Sequence, residues 1–574
     1  MKTRLLFFIT LFFATTMAYA YDVLTDGIFY NLDNENKTAE VTHGDYTNSY
    51  SGSIIIPESI SYSGAIYKVT KIGSEAFLQC TSLSSITIPN SVTRIGESAF
   101  QVCSSLTSIS IPNSVIEIGN AAFAECTSLS SITIPNSVTK IGDYVFAECT
   151  SLSSITMSKS VTYIGRNVFF NTSWLNNQPD GYVYINNLLY GYKGWIPKNT
   201  HIEIKEGTTQ ICGGAFSEDG WGNNIISITI PNSVTGIGSY AFSGCSSLTS
   251  ITIPNGVTVI GESAFSGCSS LTFIKIPNNV TEIKSSTFGS CSALSSVSIG
   301  NSVTKIAQDA FNACPKLTKI VVDSNNNNFA SIDGVLYSKD MTSLLKCPEG
   351  KTSVIIPDGV TAIGKSAFYK CKLLTSIKIP NSVIGIGDAA FQYCSALSSV
   401  SIGNSVTKIG ASAFYECKSL TSIKIPNSVI EIGKNSFRYC SALSSISIGN
   451  KVTKLEDLTF NGCSSLDTII CLNPIPPTAS IYLGVDTNTC ILFVHKDAYN
   501  DYLEHEYWGK FLIISADDIN YKNIITKVNN AEWGSVDGED YYNKGEIATF
   551  IATANEGYCF KQWSDGNTDN PRTI

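Results

Sequence analysis

Histidine is scarce in this chain of 574 residues: only His43, His201, His495 and His505 occur. None neighbours a Ser or Cys in a nucleophile motif, and neither H-E-x-x-H nor G-x-S-x-G is present. Carboxylates such as Glu97, Glu117 and Asp143 fall at variable positions without the recurring pairs that acid–base chemistry needs. No C-x-x-C pair occurs although there are 18 cysteines. Basic residues number 38 against 47 acidic ones and do not cluster, which argues against nucleic acid, whose phosphates demand concentrated Lys and Arg. There is no basic amphipathic helix to suggest a membrane surface. Beyond the first 20 residues no apolar run approaches the 18 needed to span a bilayer. These absences leave no catalytic residue, no metal ligand and no cofactor, and the chain is expected not to be an enzyme.

The first residues carry a targeting signal. Lys2 and Arg4 make a basic start, Leu5 to Ala14 an apolar run, and Ala18-Tyr19-Ala20 a small-x-small cleavage site. Residues 1–20 are therefore read as a signal peptide and the protein as exported. Loss of Lys2 and Arg4 would take the formal charge from −9 to −11. No cysteine follows the cleavage site to take a lipid anchor.

What is abundant is repetition. Cysteines stand at 80, 103, 126 and 149, at 245, 268, 291 and 314, and at 371, 394, 417, 440 and 463, always 23 apart within a block. Phenylalanines run three residues ahead, from Phe77 to Phe169, Phe242 to Phe311 and Phe368 to Phe460. A fixed period of this length predicts a solenoid with one supersecondary unit per repeat. In the repeat ending at Cys149, Ile132 and Ile134 alternate with Ser131 and Thr133, as in a half-buried strand, and Pro135-Asn136 stops it. Val138 and Ile141 begin a second extended piece, Gly142 permits a turn, and Val145-Phe146 with Cys149 fit a short helical or 3₁₀ turn. Leu129, Ile132, Ile134, Val138, Ile141, Phe146 and Cys149 should point inward, a face that only stacked neighbours can bury.

Two aromatic or polar blocks interrupt the period, at about 170–205 and 323–352, and each reads as a β-hairpin insert. The expected layout is thus a 21–70 N-terminal β cap, a 71–470 solenoid, a 471–516 C-terminal cap, and a small β module over 520–574. Atypical ends of this kind cover an exposed core and sheet edge.

The motif L-x-x-I-x-I-P-N-S-V-T-x-I-G-x-x-A-F-x-x-C resembles the 23-residue leucine-rich repeat of BspA-like bacterial surface proteins, over roughly residues 55 to 470. The inserts around Pro179–Gly194 and Ser331–Asp340, and the cap near Trp508, are similar to parts that recur in that family. The resemblance implies a leucine-rich repeat solenoid with a parallel β-sheet, exposure at the cell surface, and adhesion to host matrix proteins or other cells. Through Gly534, Gly557 and W563-SDGNTDNPRT the last 50 residues are similar to the divergent B-repeat of internalin-type proteins. Such modules usually continue with one more strand, so an incomplete module is expected.

The cysteine ladder reads as packing. Zinc needs four ligands converging at ~2.3 Å, whereas stacked rungs lie ~4.8 Å apart and cannot converge. Parallel Cα–Cβ vectors hold equivalent Cβ atoms at that same distance, beyond the usual ~3.5–4.5 Å of a disulfide. Buried thiols behave as small, inert hydrophobes. Cys212, Cys347, Cys471, Cys490 and Cys559 lie off the ladder; a Cys471–Cys490 bridge is geometrically possible, but sequence assigns no connectivity.

Binding should use the outward strand positions, expected to form a broad, regular sheet face. They begin as hydroxyls, such as Ser85/Thr87 and Ser131/Thr133, and then change to Phe273, Lys275, Lys319, Lys378 and Lys424. An exposed aromatic among lysines suits a partner with acidic residues. The expected function is a monomeric surface protein binding an extracellular protein ligand. One alternative is a glycan-capturing protein using the aromatic insert (Trp174, Tyr182, Tyr184, Tyr190, Trp195); another is a stalk that binds nothing and projects a further domain.

Overall fold

The computed structural model describes residues 21–45, 48–217, 222–479 and 482–515, and the segments 521–524, 534–537, 540–543, 549–555, 558–563 and 568–573. The expected signal peptide, 1–20, lies outside the described residues, as do parts of the 520–574 stretch. The chain divides into two compact units, Met1–Cys268 with Ile283–Phe288, and Ser269–Glu282 with Gly289–Ile574. Each contains a parallel-strand solenoid.

One repeat explains the rest. All seven residues expected to face inward in the repeat ending at Cys149 are buried, none more than 3% exposed. Ser131–Ile134 pairs in parallel with Ser154–Met157, and Lys140–Ile141 pairs with Glu117–Ile118 on one side and Tyr163–Ile164 on the other. The glycine after each Ile of the short strand follows from this closeness. A Cβ on Gly119 would lie 2.7 Å from the Glu97 nitrogen and the Gly96 carbonyl carbon in the preceding coil.

Past the glycine, each coil runs through hydrogen-bonded turns. Ala124 and Cys126 N–H groups donate to Ala121 and Phe123 carbonyls, the i to i+3 bonding of a 3₁₀ turn. Left-handed residues at Ala121 (φ 51°) and Glu125 (φ 61°) keep this from continuing as a helix. The N–H groups of Ala121, Phe123 and Glu125 donate to Asp143, Val145 and Ala147 of the next coil, so this side is also tied coil to coil. Behind it the phenylalanines stack, with Phe77, Phe100, Phe123, Phe146 and Phe169 rings 4.9–5.7 Å apart and within 6° of parallel.

In the first unit, the antiparallel strands Val23–Thr25, Ile28–Asp33 and Thr38–Thr42 feed into Ala65–Ile72, whose parallel partner is Arg94–Ile95. The hairpin Gly181–Ile185/Leu188–Lys193 joins Gln210–Ile211, so the insert opens a new ladder after the one that ends at Tyr163–Ile164. In the second unit the hairpin Phe329–Ile332/Val335–Ser338 continues through Ser343–Lys346 to Ala362–Ile363 in the same way. Farther on, Thr468–Cys471, Ile491–Val494 and Leu512–Ser515 pair in parallel beside the helix Tyr499–Glu504. Trp508 is fully buried there and donates its indole N–H to the Pro477 carbonyl at 2.9 Å. Beyond them, Thr549–Ala554 pairs antiparallel with both Gly534–Asp537 and Arg572–Thr573.

The outward strand face differs from expectation. It is not one broad sheet but a series of short ones, among them Ser131–Ile134 with Ser154–Met157, and Ser376–Lys378 with Ser399–Ser401. The long ladders belong to the two-residue strands instead, which join sheets of nine strands in each unit. Proline accounts for part of this, because the residue ending each I-P-N strand has no N–H to donate.

Candidate functional site

Three adjacent strands in the second unit gather most of the expected binding residues. Phe273–Lys275, Ser296–Ile299 and Lys319–Val322 pair in parallel, with Phe273 opposite Ser296 and Ser296 opposite Lys319. Ile274, Val297 and Ile320 point inward and are completely buried, so strand alternation turns their neighbours outward. Phe273 is 50% exposed and Val321 45%. At ~4.8 Å per strand, Lys319 stands roughly 10 Å from Phe273 across the half-buried Ser296. Lys275 lies diagonally beside them, opposite Ser298. Neither Lys275 nor Lys319 has an ion-pair partner among the described residues.

The second hairpin bounds this patch. Gly334 at its tip accepts the Ile320 N–H at 2.9 Å, and Ser331 Oγ accepts the Val322 N–H at 3.0 Å. Only glycine fits the tip. Its φ is 77°, and a Cβ would lie 2.8 Å from the Lys319 Cα. The hairpin thereby covers the strand edge next to Lys319. Lys378 and Lys424 are exposed as expected but sit on two other sheets, opposite Ser401 and Ser447. The structure thus unites Phe273, Lys275 and Lys319 and leaves Lys378 and Lys424 apart.

The aromatic insert is less open than its composition suggests. Tyr190 is buried, its hydroxyl accepting the Phe169 N–H at 3.0 Å. Trp174 is half-buried against Phe169, with ring centres 5.0 Å apart. Tyr184 is half-buried too, and its hydroxyl accepts the Lys205 N–H at 3.1 Å. Tyr182 and Trp195 alone of the five are exposed. A small adjoining cleft is lined by Phe170, Asn171, Tyr190 and Lys193, but the Lys193 ammonium already donates to the Asn176 and Gln178 carbonyls.

Two features escaped the sequence reading. Tyr369, Tyr393, Tyr415 and Tyr439 form a column of edge-on rings with centres 5.6 Å apart. They alternate between two and one residues ahead of a cysteine, a pattern visible only when both positions are read together. The short strands carry a second outward column, in which Glu117 bridges Arg94 and Lys140 across adjacent coils.

All 18 cysteines are free thiols, Cys471 and Cys490 included; 17 are buried and Cys559 is exposed. Ladder thiols also donate, which the packing reading did not anticipate. Cys126, Cys149, Cys394 and Cys417 Sγ reach the carbonyl of the phenylalanine 26 residues earlier at 3.0–3.2 Å. Desolvation pushes the Cys103, Cys245 and Cys314 thiols up to about 12. Among the described residues no group of three or more His, Cys, Asp or Glu side chains could hold a metal ion. No helix among them is long and apolar enough to cross a membrane.

The repeat geometry matches a known family. The model of the BspA type leucine rich repeat region matches residues 69–180, 209–332 and 346–471 in six copies. The chain belongs to the BspA-type leucine-rich repeat family. That family consists of repeat proteins and is not known for enzymes. Residues 524–573 match the divergent InlB B-repeat domain. No curated protein matches this BspA-type chain. Among solved structures, it is 27% identical to a leucine rich cell surface protein of Faecalibacterium prausnitzii, covering 78% of this chain and 93% of that one, with a TM-score of 0.33. A leucine-rich repeat protein of Bacteroides ovatus is 26% identical over 78% and 94%, with a TM-score of 0.24. The pneumococcal vaccine antigen PcpA is 18% identical over 86% and 98%, with a TM-score of 0.38.

Proposed function

We propose that this is an exported, cell-surface protein without catalytic activity, whose Phe273–Lys275–Lys319 face binds an extracellular protein bearing acidic residues. The observation that carries the reading is the half-exposed Phe273 on a parallel sheet that also presents Lys275 and Lys319, two ammonium groups without ion-pair partners among the described residues. An aromatic anchor supplies binding energy, and flanking charges supply orientation and speed of encounter. Export is supported by Lys2, Arg4, the apolar run to Ala14 and Ala18-Tyr19-Ala20. In this reading residues 1–20 are removed, 21–70 and 471–516 close the ends of the array, and 520–574 is a separate module. Lys378 and Lys424 add weaker contacts, and display of many monomeric copies on a cell raises the avidity.

The test compares the wild-type chain with the double variant Phe273→Ala, Lys275→Glu on immobilised matrix proteins, with a glycan array as a second arm. Loss of a hot-spot aromatic costs about 2 kcal/mol or more, so affinity should fall roughly 30-fold or further. The melting temperature should barely move, since both side chains are exposed. Unchanged adhesion removes this face from consideration, and binding confined to glycans shifts attention to Tyr182 and Trp195.

A further inference from the structure

Among the described residues only two charged side chains are buried, Lys346 and Glu349, each 6% exposed. They are not ion-paired with each other or with any other described residue. The Lys346 Nζ lies 3.0 Å from Asn312 Oδ1 and 3.5 Å from the Gln308 carbonyl oxygen. Glu349 Oε1 accepts the Ala313 N–H at 2.8 Å, which holds the carboxyl beside the peptide that follows Asn312. A buried amine thus meets a side-chain amide where the second hairpin block packs on the coil Phe311–Cys314, and a buried carboxyl is anchored on the neighbouring peptide N–H.

We propose that Lys346 and Asn312 join in an intramolecular isopeptide bond, with Glu349 carrying the proton. The Lys346 Nζ lone pair attacks Asn312 Cγ, and the carbonyl electron pair moves onto Oδ1. Glu349 gives a proton to Nδ2 and takes one from Nζ. The Cγ–Nδ2 bond breaks as the Oδ1 pair returns, and ammonia leaves. The products are one secondary amide and one ammonia, with Glu349 regenerated. No oxidant, cofactor or second substrate is required.

The surroundings favour each participant in the form the step needs. Burial holds the Lys346 ammonium below its usual range, which favours the nucleophilic amine, and raises the Glu349 carboxyl, which favours the acid. The low exposure of Lys346 and Glu349 limits the water that would otherwise compete for Cγ. The bond would span 34 residues and staple the inserted hairpin block to the repeat it follows.

The test is tryptic mapping of the purified full-length chain by tandem mass spectrometry. The expected result is failure of cleavage after Lys346 and a branched peptide carrying Asn312 and Lys346, one ammonia lighter than its two parts. Reductive methylation of the denatured chain should mark every lysine except Lys346. Asn312→Ala and Lys346→Arg should each abolish the branched peptide. Glu349→Gln, with its fold checked by circular dichroism, should lower its yield about tenfold or more, the scale of a lost acid–base group. Complete cleavage after Lys346, or Asn312 converted to Asp beside a free Lys346, overturns the proposal. Linking at the wild-type level in Glu349→Gln removes the role given to Glu349.

Discussion

A buried thiol in this fold is a pH-sensitive part of the core. The ladder cysteines are buried in the core, and Sγ atoms such as those of Cys417 and Cys440 donate to phenylalanine carbonyls 26 residues back. The next position in the first column is Thr172, also fully buried, whose hydroxyl donates to the Phe169 carbonyl. A small side chain with a donor suits the slot in both forms. Burial raises the Cys103, Cys245 and Cys314 thiols to about 12 from an ordinary value of 9.0. Their stabilising contribution is fully present below pH 9, the unfolded value, and is lost as pH rises towards 12. Each such thiol costs about 1.4 kcal/mol per pH unit in that window, so these three alone cost roughly 4. The free energy of unfolding should therefore fall steeply above pH 9, measured by urea titration at pH 8, 9 and 10. Cys103→Ala with Cys245→Ala should flatten that slope; equal slopes in variant and wild type would refute it.

Within an element, the turn before each ladder cysteine sets the backbone cost. The residue just ahead of it is left-handed at Gln79, Val102, Glu125 and Glu148 alike, with φ between 58° and 62°. Glycine stands at this position in Gly244, Gly267 and Gly462, with φ of 73° to 79°. A β-branched residue is the least suited to it, because its Cβ crowds the following carbonyl at about 1–2 kcal/mol. Val102→Gly relieves that strain but adds freedom to the unfolded chain, about 0.5–1 kcal/mol. Unfolding should cost up to about 1 kcal/mol more in the variant, read from denaturant midpoints. A destabilised Val102→Gly would mean that packing by the Val102 side chain outweighs its backbone strain. Elements such as this turn were legible in the sequence because they obey the 23-residue step. Period alone placed Leu129, Ile132 and Phe146 inside, and Phe273, Lys275 and Lys319 on the outward face. It could not show the hairpin tip at Gly334 closing on Lys319, since an insert breaks the step and chooses its own docking. The same holds for Lys346, which meets Asn312 across 34 residues. Tyr190 misled for the opposite reason. Its aromatic surroundings read as a surface platform, while its hydroxyl serves the Phe169 backbone in the core.

At the scale of the molecule, stability is a sum of coils and the contacts between neighbours, and damage should therefore remain local. Phe391 tests this. Its ring is fully buried between Phe368 at 4.7 Å and Phe414 at 5.1 Å. Truncation to Ala removes both stacking contacts and leaves a void that adjoining coils cannot close without losing their own strand register. The expected cost is about 3–5 kcal/mol, as much as a small domain's whole stability. A single globular core would share that loss and lose protection everywhere. A repeat array confines it to coils that touch the void. Amide hydrogen exchange in Phe391→Ala should speed up over the strands Ala362–Ile363, Gly385–Ile386 and Lys408–Ile409, which pair in succession around the site. The hairpin Gly181–Ile185/Leu188–Lys193 belongs to the other compact unit and should keep its wild-type protection. Uniform acceleration along the chain would show that the coils unfold as one cooperative body and that nearest-neighbour bookkeeping does not describe this protein.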